Sequence, residues 1–104
     1  MKINFVYITV GSMQEAEVIG KALVESKLAA CVNIIDKMSS IYMWQGKLQQ
    51  DNEVIVIAKT VEAKIPQIVD RVKSLHSYEC PCIVSLPVSG GNQAFLDWIA
   101  DSVY

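Results

Sequence analysis

A chain of 104 residues, 52% hydrophobic and 19% charged, is enough to bury one globular core and too short for a second, so residues 1–104 read as a single domain. A formal charge of −2, with Lys21, Lys27, Lys37 and Lys47 standing singly, excludes nucleic acid and anionic membrane as main partners, because both need clustered positive charge. No apolar run approaches the roughly 20 residues of a membrane span, MKINFVYITV lacks the length and cleavage site of a signal peptide, and three cysteines cannot all pair, so a cytoplasmic protein with reduced thiols is expected.

Residues 3–10, INFVYITV, are β-branched and aromatic without a charge, the composition of a strand covered on both faces. Gly11 ends it. Ser12 with Glu15 three residues on makes a capping box, and the helix that follows carries Ala16, Ile19, Gly20, Leu23 and Lys27 on one stripe. LAACVNII then leads into two long strands folded about Gly46, within Cys31 to Thr60. Ile41, Met43 and Gln45 alternate with Ser40, Tyr42 and Trp44 on the incoming side, and Val54, Val56 and Ala58 alternate with Ile55, Ile57 and Lys59 on the outgoing side. The outgoing strand is apolar on both faces, which predicts cover on both sides. Thr60 is the expected cap of a second helix with the stripe Ile65, Ile68, Val69, Val72 and Leu75, and Pro66 is tolerable only in its first turn. HSYECPC reads as a loop and IVSLPV as a short strand closed by Pro87. Ser89-Gly90-Gly91-Asn92 turns into a last helix capped by Asn92 and bearing Phe95, Leu96, Trp98 and Ile99.

The order strand, helix, strand, strand, helix, strand, helix predicts an α+β, ferredoxin-like βαββαβ sandwich with a long hairpin between its second and third strands and an extra carboxy-terminal helix. Roughly 14 residues per arm at about 3.3 Å each give a hairpin of about 46 Å, against a diameter of about 34 Å for a compact domain of this size. The hairpin therefore overhangs its own domain, and an overhanging ribbon that carries Tyr42, Met43 and Trp44 needs another chain to cover it. An obligate oligomer is expected, with those three residues at its interface.

For chemistry, His76 is the only histidine, and with Cys80 and Cys82 it gives a His-x3-Cys-x-Cys run whose soft ligands suit copper(I) or zinc. One such run supplies too few ligands to close a tetrahedral site alone. The same residues also read as two small buried hydrophobes beside a helix-terminal histidine. Cys31 enters an apolar strand with no base of its own, which argues against a nucleophile and leaves it as a further candidate metal ligand. Tyr42, Trp44, Lys47, Glu53, Lys59 and Tyr78 form a mixed aromatic and charged set suited to interface packing with peripheral ion pairs. No phosphate loop, Ser/His/Asp set or close carboxylate pair is legible, so no enzymatic reaction is expected.

LAACVNI at 28–34, YMWQGKL at 42–48, Glu53 with VIVIAKT after it, HSYECP at 76–81 and LPVSGGNQAFLDWI at 86–99 together resemble the divalent-cation tolerance protein family, CutA, over nearly the whole chain. The resemblance implies a ferredoxin-like subunit in a tight trimer similar to the PII signalling proteins, and a role in tolerance to copper and other divalent metals without an established reaction. His76 matches a family histidine linked to copper in enteric members, whose cysteine in the first strand and second histidine correspond here to Ile8 and Leu75. The family's His-Pro-Tyr-Glu-x-Pro-Glu pattern departs here at Ser77 and Cys82. Two functions follow as expectations. The first is a non-enzymatic homotrimer that binds metal ions, copper among them, through His76, Cys80, Cys82 and Cys31. The second is a PII-like sensor of a small anionic ligand in clefts between subunits, lined by Lys47, Lys59, His76 and Tyr78 with Glu53 nearby.

Overall fold

The computed structural model describes all residues, Met1–Tyr104. Its elements are β1 (Ile3–Val10), α1 (Met13–Glu25), β2 (Cys31–Trp44), β3 (Lys47–Val61), a 3-10 turn (Glu62–Lys64), α2 (Ile65–Leu75), β4 (Ile83–Pro87) and α3 (Gln93–Ser102). The four strands form one antiparallel sheet in the order β2-β3-β1-β4, the ferredoxin-like arrangement expected from the element order.

Strand alternation decides the layers. Even-numbered Val6, Ile8 and Val10 of β1 and Val54, Val56 and Ala58 of β3 face α1 and α2, where they meet Ala16, Ile19, Leu23, Ile68 and Val72 in the main core. On the opposite face α3 covers one end only, where Ile99 and Val103 pack on Ile3, Ala30 and Val61. Within one chain, therefore, β3 is covered on both faces only at its Val61 end, and its remaining cover would have to come from outside the chain. Ile55 and Ile57 stay half-buried, and beside them Ile35, Val84 and Leu86 are 49%, 49% and 55% exposed. No element of the same chain reaches that area.

Local signals explain most element ends. Ser12 Oγ accepts the Glu15 N–H at 3.2 Å at the start of α1, and Asn92 Oδ1 accepts the Ala94 N–H at 3.1 Å at the start of α3. Lys27 does not lie on the α1 stripe. It sits past the helix end at φ 59°, with Lys27 N–H bonded to Val24 O and Leu28 N–H to Leu23 O, so it fills the left-handed position of a Schellman stop. Thr60 does not cap α2 either. β3 continues through it, and its buried Oγ1 donates to Leu28 O at 2.6 Å, tying β3 to the segment after α1, while α2 starts with no side-chain cap and Pro66 in its first turn.

The hairpin turns at two residues rather than at Gly46 alone. Gln45 and Gly46 both have positive φ (50° and 78°), the signature of a type I′ loop matched to strand twist, so β2 ends at Trp44. β1 pairs with β3 only from Val54 to Val61, which leaves Met38–Trp44 and Lys47–Glu53 as a two-stranded ribbon outside the four-stranded sheet. The ribbon stretches the molecule to 45 × 25 × 22 Å. Where it leaves the sheet, Asp36 and Lys37 together oppose Val54, since Ile35 pairs with Ile55 and Met38 with Glu53. One extra residue in a period-two element exchanges its faces. Cys31, Asn33 and Ile35 lie on the open face before the bulge; after it the open face takes Met38, Ser40, Tyr42 and Trp44.

Candidate functional site

The exchange of faces at the bulge places Tyr42 and Trp44 on the same face as Glu53 of β3, the face toward which the loop after α2 also turns. Together with Thr9, Tyr78, Glu79, Cys80 and Cys82 they line a groove of about 500 Å³ at the junction of sheet and ribbon. Two phenols are fixed in or next to it by carboxylates. Tyr78 Oη donates to Glu53 Oε2 at 3.0 Å, and Tyr42 Oη donates to Asp51 Oδ2 at 2.5 Å. Partial burial, the Glu53 hydrogen bond and the negative charges of Glu53 and Glu15 push the Tyr78 phenol up to about 12. The Asp51 hydrogen bond raises that of Tyr42, with desolvation and the charges of Asp51 and Glu53 adding to it. Both stay neutral donors at physiological pH.

His76 stands behind the groove and not in it. Its side chain is fully buried, with Nε2 2.7 Å from Thr9 O and Nδ1 3.0 Å from the Tyr78 backbone N. Because the amide can only donate, Nδ1 accepts and the ring proton sits on Nε2, which donates to the Thr9 carbonyl. Both nitrogens are spent on holding the 76–78 turn against β1. Glu15 Oε1, 3.8 Å from Nδ1, also accepts from Ser77 Oγ at 3.3 Å, so the carboxylate expected to close a capping box faces this turn.

The sequence candidates thus separate into several places. Cys80 and Cys82 come together in the groove, both exposed, which corrects the alternative that they are buried hydrophobes. Cys31 is half-buried at the foot of β2, opposite Lys59. With β3 and β1 between β2 and β4, it is roughly 14 Å or more from the 80–82 segment by strand spacing alone. Glu53 and Tyr78 are joined as expected of neighbours. Lys47 lies at the ribbon tip opposite Trp44, whereas Lys59 lies at the far end of β3, its Nζ 5.4 Å from the Phe5 ring centre and 5.2 Å from that of Phe95. Twelve residues of strand put these two lysines about 40 Å apart in one chain. Met43 points to the helix side of the ribbon and is 62% exposed, with Trp44 at 56% on the groove side. Sequence reasoning missed Asp51, although it shares the alternation of Glu53, and missed Thr9 and Glu15, whose link to His76 spans more than sixty positions and leaves no local pattern.

These features define a class: a ferredoxin-like α+β subunit with an open apolar sheet face, a projecting ribbon, and an acidic, thiol-bearing groove between them. Comparison with known proteins gives the family. The model of the CutA1 divalent ion tolerance protein family matches residues 4–102, and this chain belongs to that family. The divalent-cation tolerance protein CutA of Thermus thermophilus is 47% identical over 97 residues, covering 93% of this chain and 94% of its own. Its namesake in Archaeoglobus fulgidus is 47% identical over 100 residues, covering 96% and 97%. The solved structure of the Archaeoglobus protein, described as periplasmic, superposes with a TM-score of 0.95 at 46% identity over 98% of this chain and 99% of that one.

The family name implies a divalent metal, and the donors of a single chain do not fit a closed cage for one. No three His, Cys, Asp or Glu side chains converge, and the only imidazole is turned inward with both nitrogens engaged. His76, Cys80, Cys82 and Cys31 are therefore not one ligand set within a subunit.

Proposed function

We propose that this chain acts in tolerance to copper and other divalent metal ions as a non-enzymatic homotrimer that takes up metal at the groove beside its ribbon. The observation that carries this is the sign of the groove: it is lined by Glu53, Glu79 and two free thiols and by no lysine, arginine or histidine, so it favours a cation over an anion. Assembly is supported by the open face and the ribbon. Ile41, Met43, Trp44 and Leu48 are 65%, 62%, 56% and 71% exposed on a two-stranded element that is marginal by itself in water. A copy added head to tail can cover this surface, and such contacts close into a ring when the rotation permits. Three free cysteines fit a reducing compartment such as the cytoplasm, and no helix is long and apolar enough to cross a membrane. A charge of −2 without basic clusters fits a protein that engages neither nucleic acid nor membrane.

The test is a calorimetric screen of the purified protein against copper, zinc and nucleotides, with light scattering on the same sample. Metal binding by a species of about three times 11.5 kDa is expected. Binding of a nucleotide with indifference to every metal would replace this function with that of a PII-like anion sensor using Lys47 and Lys59 from different subunits.

A further inference from the structure

The mismatch between a divalent-metal cage and the donors present carries a more specific conclusion. Cys80 and Cys82 are separated only by Pro81, so their Cα atoms are at most about 7 Å apart whatever the local conformation. Both thiols are free and exposed, and both line the same groove. An ion bonded at about 2.3 Å to each sulfur spans up to about 4.6 Å between them, within reach of two side chains so placed.

The remaining donors around the pair are poor ligands for a hard ion. Glu53 is engaged by the Tyr78 hydroxyl and Asp51 by that of Tyr42, which leaves Glu79 as the one carboxylate lining the groove that accepts no side-chain hydrogen bond. Calcium and magnesium call for about six or more oxygens, far beyond this supply. Thiolates select soft, thiophilic ions, and the aromatic wall formed by Tyr42, Trp44 and Tyr78 suits an ion that sheds its water readily. An indole face is also the best aromatic partner for a cation.

We infer that Cys80 and Cys82 form a two-thiolate site for a low-coordinate thiophilic ion, of which copper(I) is the natural probe, with Trp44 in the wall of the same groove and His76 outside it. This rests on the groove being the metal-facing surface of the protein and narrows it from divalent ions in general to one soft class. Binding replaces the proton on each sulfur by a bond to the ion, so two protons leave for each copper(I) bound, and nothing is oxidised or reduced.

The experiment is an anaerobic titration of the intact protein with copper(I) against a competing chelator, run on the wild type and on Cys80→Ser, Cys82→Ser, the double variant, His76→Gln and Trp44→Phe. One copper(I) per chain is expected, with release of two protons read from calorimetry in two buffers and with quenching of indole emission that Trp44→Phe abolishes. Either serine variant should lose more than the roughly 100-fold that an outer-shell change costs a metal site, while keeping wild-type circular dichroism, because both positions are exposed. His76→Gln should stay within a few-fold of wild type. Undiminished affinity in the double variant would overturn the two-thiolate site and leave metal uptake elsewhere intact. A loss in His76→Gln as large as in the serine variants would also overturn it, by restoring the imidazole to the ligand set. Binding of zinc or copper(II) without copper(I) would overturn this inference alone, and failure to bind any metal would overturn the proposed function with it.

Discussion

Val84 gives the sharpest test of assembly, because it lies on the open sheet face, on the edge strand β4, and does not line the groove. In β4 it pairs with Tyr7 of β1 and remains 49% exposed. In an isolated chain Val84→Asp is a surface change, expected within about 0.5 kcal/mol. In a closed ring the same carboxylate is buried and unpaired, at a cost of about 3 to 5 kcal/mol per subunit. Taking about 4 kcal/mol for each of three subunits, the ring loses about 12 kcal/mol, or between eight and nine powers of ten in its dissociation constant. For a monomer–trimer equilibrium the midpoint concentration follows the square root of that constant, so it rises by about four powers of ten. Val84→Ala removes only the apolar half of the contact, about 1 kcal/mol per subunit, and should move the midpoint about tenfold. Light scattering over a dilution series, with circular dichroism at each concentration, reads all three proteins. A wild type of 11.5 kDa, or an aspartate variant whose midpoint equals that of the alanine variant, would refute burial of this face.

Two further outcomes concern the subunit itself. Thr60→Val keeps shape but leaves the Leu28 carbonyl without its 2.6 Å donor, and should cost about 1 to 3 kcal/mol in denaturant unfolding; a change below about 0.5 kcal/mol would mean that water replaces the hydroxyl. Tyr78 has its phenol raised from 10.0 to about 12 in the folded chain, so the neutral form is favoured by folding: its contribution is fully present below pH 10 and is lost as pH climbs toward 12. Unfolding followed across that window should show a decline in the wild type that Tyr78→Phe flattens, and equal slopes would place the perturbation elsewhere.

Much of this fold was legible in the chain. The charge-free, β-branched composition of residues 3–10 announced β1, period-two runs announced the hairpin, Ser12 and Asn92 announced the starts of α1 and α3, and the length of the hairpin against the size of the domain announced the overhang seen in the 45 Å axis. All of these are local or additive properties, in which a few neighbouring residues carry the whole cause. The tertiary structure decided what depends on a single inserted residue or on contact between distant segments. The bulge at Asp36 and Lys37 exchanged the faces of β2 and so brought Tyr42 and Trp44 to the face that carries Glu53, although neither residue type marks a bulge. The Leu28 carbonyl claimed Thr60 before α2 could, and the Thr9 carbonyl claimed the imidazole of His76, turning away from Cys80 and Cys82 a ligand that spacing had grouped with them. A buried acceptor left without a donor costs more than an exposed histidine gains, so satisfaction of the backbone across the fold, and not proximity along the chain, fixed which side chains face the groove.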